Sequence, residues 1–233
     1  YGVPKIHPIY ENHERIGVGN YGKSKIMAED VCFEYQKKGL TVCIIRPKSF
    51  IGTARLGVFQ ILYDWIESGA RIPIIGRGNN RYQLFEVEDL VDAIFIVCKM
   101  NNEKINDVFN VGAKLFKTVK EDLEVLLDYA KSGSKILTTP AWLIKKILRL
   151  FEVLKLSPLY KWIYGTADTD SFVSIEKAEN ILDWHPKYSN SEALIRSYQW
   201  YLDNKNTIKQ GTGITHRIAW KQGILSIFKK ILK

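Results

Sequence analysis

The stretch Leu40–Arg46 (LTVCIIR) constrains the fold more than any other part of the chain. It is a near-continuous apolar run closed by Pro47, which suits a strand buried on both faces, as in a parallel sheet covered by helices. Its flanks fit that setting. Tyr21–Lys38 reads as a helix with apolar residues at Ile26, Val31 and Phe33 that stops at Gly39, and Val58–Ser68 as a second helix closed by Gly69. The alternation continues with a strand at Ile72–Ile75, a glycine/asparagine turn at Gly76–Asn80, and a strand at Leu84–Val87 that leads into a helix over Glu88–Met100. Val108–Val111 is the next strand, followed by a helix near Val119–Tyr129, a strand at Ile136–Thr138 and an amphipathic helix after Pro140. A short helix within Asp170–Trp184 and a last one over about Glu192–Asn204 complete the body. The pattern predicts an α/β fold with a largely parallel sheet.

Composition removes several other classes. With 46% hydrophobic and 25% charged residues the chain can bury a core, which excludes disordered, collagen-like and disulfide-scaffold proteins. No apolar run approaches the ~18 residues that would span a bilayer. Residue 1 is Tyr and no leader-like segment follows, so the sequence reads as starting inside a longer protein. Cys32, Cys43 and Cys98 each sit among apolar neighbours and are expected to be reduced core thiols of a cytoplasmic protein. His7, His13, His185 and His216 lack ligand spacing, so no zinc site is expected. Seven of the 34 basic residues lie between Asn204 and the end, where there is no acidic one. Without that segment the chain is nearly neutral, which argues for a basic tail and against a nucleic-acid-binding fold.

Two motifs overlap near residue 20. Gly17-Val-Gly19-Asn-Tyr-Gly22 matches G-x-G-x-x-G, but the preceding ENHERI is polar and cannot be the buried strand that a dinucleotide loop follows. It reads as a turn before a helix. Tyr21-Gly-Lys-Ser-Lys25 instead sets a phenol and an ammonium at i and i+4 on one helix face. A phenol is a poor base near neutral pH, and an adjacent ammonium favours its ionised form, so such a pair can exchange a proton with a substrate hydroxyl. Alone, the spacing fits a solvated helix face as well.

The surroundings of that pair add to it. Tyr1-Gly2 precedes an acidic loop, and Arg46-Pro47-Lys48-Ser49-Phe50-Ile51-Gly52 follows the strand. Ile75-Gly-Arg-Gly78 is followed by Phe85-Glu-Val-Glu-Asp89-Leu-Val-Asp-Ala93, then Phe109-Asn-Val-Gly112, then SIEKAENILDW (174–184) with Pro186-Lys187. In this order the segments resemble the extended short-chain dehydrogenase/reductase family, the NAD-dependent sugar epimerases and dehydratases, from Tyr1 to about Asn204. The resemblance implies the carboxyl-terminal part of a Rossmann-type doubly wound parallel sheet plus a smaller mixed substrate-binding domain. Residues 1–52 and 83–113 would end the dinucleotide-binding domain, 53–82 and 114–203 would bind substrate, and 204–233 would be a basic amphipathic tail. The family's glycine-rich loop would lie before Tyr1.

The resemblance further implies NAD or NADP as cofactor, a sugar carried on a nucleotide or a lipid as substrate, a homodimer, and no nucleic acid. Tyr21 and Lys25 would be catalytic and would contact the cofactor, Pro47 and Lys48 would line the nicotinamide, and Ser49 would face the substrate. Pro47 equally reads as a strand terminator. Tyr82 stands where the family has an arginine that grips a nucleotide diphosphate, and Arg81 is one position early, so Arg81 reads either as a contact to an anionic substrate group or as a surface residue. Asp89 reads as a helix cap or structural carboxylate. A dehydrogenase of hydroxylated lipids and a non-catalytic dinucleotide-binding module are the rival readings.

Two stretches are both apolar and basic. Trp142–Leu156 (WLIKKILRLFEVLKL) and Ala219–Lys233, the latter with Trp220, Ile224, Ile227, Phe228 and Ile231 on one face, fit a membrane surface, a protein interface or a lid. A cytoplasmic protein with contact to the inner membrane surface through its tail is one expectation.

Overall fold

The computed structural model describes residues 1–233 apart from 3, 18, 56, 101–102, 155, 157–158, 160–163 and 208–221. Trp220 and much of the expected basic tail lie outside the described residues. The elements run α1 (Gly19–Lys37), β1 (Ile44–Pro47), β2 (Ser49–Ile51), α2 (Phe59–Glu67), β3 (Ile72–Ile75), β4 (Leu84–Glu86) and α3 (Val87–Lys99). They continue with β5 (Val108–Val111), α4 (Val119–Ala130), β6 (Ile136–Thr139), α5 (Ala141–Val153), α6 (Glu176–Leu182), α7 (Asn190–Asn204) and α8 (Leu225–Ile231). None of the described helices is long and apolar enough to cross a membrane.

The chain divides into two compact units, the first made of Tyr1–Phe50, Gln83–Leu115 and Ser171–Ser189, the second of Ile51–Tyr82, Phe116–Asp170 and Asn190–Lys233. In the first, β1 and β5 pair in parallel with Ile44 opposite Val108 and Pro47 opposite Val111. All four residues of β5 are buried, as the unbroken VFNV run requires of a strand covered on both faces. The core gathers Phe85, Phe109, Val111, Val173, Leu182 and Trp184. The Phe85 and Trp184 rings meet edge-to-face with centroids 5.8 Å apart. Ser171–Ser189 joins this unit because Val173 and Trp184 bury their side chains there and Ile9 forms a parallel bridge to Val173.

In the second unit β3 pairs in parallel with β6, Ile72 opposite Ile136. A capping box between Thr118 and Glu121 starts α4, and Asn190 at the start of α7 donates to Asp122 Oδ2 at 2.9 Å and to the Tyr82 carbonyl at 2.7 Å. Tyr63 packs on Tyr198 and Tyr201, with ring centroids 5.6 and 6.0 Å away.

The α/β fold with parallel strand pairing is as expected, and among the described residues the strands form two-stranded ladders. Two expectations change. The strand expected from Leu40 begins only at Ile44, because side chains take the main-chain groups before it: Val42 N–H donates to Asn106 Oδ1 and Gln36 Nε2 donates to the Val42 carbonyl, each at 2.8 Å. Of the cysteines expected in the core, Cys43 is half-buried against it, but Cys32 is only half-buried on α1 and Cys98 is exposed, on the outer face of α3 with Val91 and Phe95. Burial pushes the Cys43 thiol up to about 11, so it stays protonated.

Candidate active site

Tyr21 stands in the first turn of α1 with its side chain open to solvent, and the exposed Lys25 lies one turn on with Nζ 5.4 Å from the centre of the Tyr21 ring. The i, i+4 spacing therefore places the ammonium against the phenol's own ring. No residue of α1 is buried, so the helix needs polar fastening. Arg46 supplies it, donating from Nε and Nη2 to the two carboxylate oxygens of Glu29 at 2.9 and 2.6 Å. Arg15 adds a bond to Asp30 at 2.7 Å.

The same Arg46 donates to the Tyr1 phenol oxygen at 2.6 Å, and Tyr1 in turn donates to Asn110 Oδ1 at 2.6 Å. Burial pushes the Tyr1 phenol up, with Arg46 opposing it, so the phenol remains a donor. Asn110 N–H donates to Glu11 Oε1 at 2.8 Å. This chain ties α1 through Arg46 on β1 to Asn110 on β5. Gly2, at φ +65°, would bring a Cβ to 2.9 Å from the Ile16 carbonyl oxygen, so the Tyr-Gly pair needs its glycine. These fastening residues carried no chemical signal in the sequence beyond the motifs they sit in.

Pro47, Lys48 and Ser49 follow one another at the carboxyl end of the parallel β1–β5 pair, the end at which open α/β sheets take their ligands. Lys48 N–H donates to the Val111 carbonyl at 2.9 Å and closes that end. Its amine reaches inward to the Ser171 hydroxyl at 2.7 Å, and burial lowers it to about 8. Pro47 and Ser49 are exposed.

Beside them is a buried clamp that the sequence reading missed. Gln83 Nε2 donates to the Ala113 carbonyl and its Oε1 accepts from Val173 N–H, both at 2.8 Å. A Cβ on Gly112 would fall 2.7 Å from that amide, which accounts for the glycine ending Phe-Asn-Val-Gly. A glutamine inside the otherwise apolar Gln-Leu-Phe run was the only signal.

Asp89 is structural and not the cap of α3: Glu86 caps that helix by accepting from Glu88 N–H. Asp89 instead accepts from Lys187 N–H at 2.9 Å and Tyr188 N–H at 3.2 Å. The Gly17–Gly22 match is not a loop that follows a strand: among the described residues no strand precedes it, and Gly19, at φ +66°, opens α1, which also holds Gly22.

Arg81 and Tyr82 belong to the second unit. Arg81 is exposed, with its guanidinium 4.8 Å above the Phe116 ring and its N–H donating to Asp170 Oδ1 at 2.8 Å. Tyr82 is half-buried. The structure thus brings Tyr21 to Lys25, and Pro47 to Lys48 and Ser49, within the first unit.

An ammonium with three donors stands 5.4 Å from the ring of an exposed phenol, a pair that can exchange hydrogen bonds with a hydroxyl. Among the described residues no cluster of His, Cys, Asp and Glu is arranged to hold a metal.

The model of the NAD dependent epimerase/dehydratase family matches residues 1–112. An uncharacterized protein, y4nG, of Sinorhizobium fredii is 36% identical over 237 residues, covering 100% of this chain and 58% of the relative. The N-acetyl-α-D-glucosaminyl-diphospho-ditrans,octacis-undecaprenol 4-epimerase of Escherichia coli O157:H7 is 34% identical over 105 residues, 44% of this chain and 30% of that protein. In fold, the UDP-glucuronic acid 4-epimerase of Bacillus cereus, solved in complex with NAD, superimposes with a TM-score of 0.65 at 17% identity, over 84% of this chain and 56% of that one. The chain spans less than two thirds of the length of each of these proteins.

Proposed function

We propose, from the match of residues 1–112 to the model of the NAD dependent epimerase/dehydratase family, that this protein works in an NAD(P)-dependent epimerase or dehydratase reaction on a nucleotide-activated or lipid-linked sugar. The observation that carries the reading is the Lys25 ammonium 5.4 Å from the ring of an exposed Tyr21 at the head of a fastened helix.

Bound nicotinamide dinucleotide supplies reversible acceptance of a hydride from a sugar carbon. The chain's residues manage the proton and the positions. Tyr21 takes the proton of the sugar hydroxyl on its phenol oxygen and returns it at the end of the cycle. Lys25 stabilises the negative charge that oxygen carries while it is without the proton, and would donate to hydroxyls of the nicotinamide ribose. Glu29 and Arg46 hold the helix, and so hold the pair in place.

Pro47 and Lys48 line the nicotinamide through their main chain, and Ser49 faces the sugar. Arg81 and Tyr82 serve the anionic end of the substrate. Residues 1–52 and 83–113 act as the cofactor part and 53–82 with 114–203 as the substrate part, in a homodimer.

The test is Tyr21→Phe in the full protein, with UDP-sugars and polyprenyl-diphosphate-linked sugars offered in turn. Turnover lost while dinucleotide remains bound is the expected result. Turnover retained by the variant rules the mechanism out.

A further inference from the structure

We propose that α5 and α8, both in the second unit, together form a docking surface for an anionic lipid bilayer. One side of α5 faces inward, with Leu148 buried and Lys145 turned to the Gly165 carbonyl at 2.9 Å and to Asp168. On the other side Trp142, Leu143, Leu150, Val153 and Leu154 are exposed, Trp142 at 66% and Val153 at 72%. At 100° per residue these positions make a single stripe along the helix.

α8 extends the stripe. Phe228 packs on Phe151 of α5 with ring centroids 6.0 Å apart, and Ile224 N–H donates to the Leu156 carbonyl at 3.0 Å. Ile227, Phe228 and Ile231 are again exposed. The short helix is held from behind by Lys229, which donates to Asp64 Oδ2 at 2.6 Å, and by the Leu232 carbonyl, which accepts from Arg71 N–H at 2.9 Å. A contiguous apolar patch of this kind is unusual on a face meant for water.

Charge decides the occupant. Every exposed charged side chain on the two helices among the described residues is basic: Lys146 and Arg149 on α5, Lys230 on α8. The one carboxylate of α5, Glu152, is half-buried and accepts from the Tyr164 hydroxyl at 2.5 Å. A second copy docked through the same face would set like charges together. An anionic headgroup layer complements them, while the apolar stripe enters the acyl boundary. Trp142 with the Lys146 ammonium 5.4 Å from its ring is a headgroup-level pair, apolar body inward and cation outward.

The test is flotation of the full chain with vesicles of phosphatidylcholine alone and of phosphatidylcholine mixed with phosphatidylglycerol. It reads the surface whether or not the protein turns over a sugar, so its failure is separate from failure of the enzymatic reading. Expected are flotation with the mixed vesicles only, loss of it in high salt, and about a fivefold weaker affinity for each of Lys146→Gln and Lys230→Gln. Leu150→Asp with Val153→Asp should abolish flotation with an unchanged melting curve, since both side chains are exposed. Flotation that survives this double change, equal binding to neutral vesicles, or no binding to either would overturn the proposal. So would a dimer in light scattering that the double variant dissociates while the wild-type chain fails to float.

Discussion

Asp89 and Lys187 are 98 residues apart in the chain, and the carboxylate of the first accepts the main-chain N–H of the second at 2.9 Å. The bond joins two of the motifs that read separately in the sequence, Val-Glu-Asp-Leu and Trp-His-Pro-Lys. Trp184 Nε1 adds a second tie by donating to the Asp89 carbonyl at 3.1 Å. The carboxylate is therefore a fastener, which explains an acidic residue in the first turn of a helix it does not cap.

Asp89→Ala is expected to leave two inward-facing main-chain donors without their acceptor and to lower stability by ~1–3 kcal/mol. Urea melts of the full protein check it. Vesicle binding, which depends on other residues, should be unchanged.

Lys48 predicts a pH dependence. Its folded value of about 8 lies below the ~10.4 of an unfolded lysine. Below the folded value the amine is charged in both states, and its burial cost is fully present. As pH rises from about 8 toward ~10.4 the folded protein releases its proton first, so stability climbs, by ~1–3 kcal/mol at most. Lys48→Met should flatten that rise in denaturant melts taken across the window.

Gly112→Ala should cost ~2–3 kcal/mol, because the new methyl meets the Gln83 amide at 2.7 Å and displaces a side chain that bonds two segments. Gln83→Ala in the same protein removes the obstacle. A double-mutant cycle by thermal unfolding should then show the two changes to be strongly non-additive.

Glu29→Gln weakens the grip of Arg46 on α1 without touching the Tyr21–Lys25 pair. Hydrogen exchange along α1 is expected to quicken, while amides of β5 keep their protection. Exchange that stays the same throughout would show the helix held by other means.

Much of this was legible because it rests on local rules. The strand Val108–Val111 is a short, mostly apolar run ended by glycine, and the Thr118–Glu121 box announces α4. The Tyr21–Lys25 pair is set by helical spacing, which needs no tertiary information. Where the reading slipped, side chains distant in sequence decided the outcome. Asn106 and Gln36 claim the main chain at Val42 and shorten β1, though its apolar pattern runs back to Leu40. The environment of Cys98 follows from which side of α3 meets Phe85 and Trp184, and with apolar residues at Val91, Ile94 and Phe95 as well as at Leu90, Ala93 and Val97 the periodicity does not mark that side. Gln83 was invisible for a similar reason: its two partners, Ala113 and Val173, are 30 and 90 residues away.

The first unit is stitched from three separated stretches, and its core includes Val173, Leu182 and Trp184 from the last of them. A ribosome making this chain delivers β1, β4 and β5 early but must pass through residues 116–170 before those side chains exist. Until Trp184 emerges, Phe85 waits without the ring that packs on it. This arrangement makes completion of the first unit a late event in synthesis, with the interval spent on a segment belonging to the other.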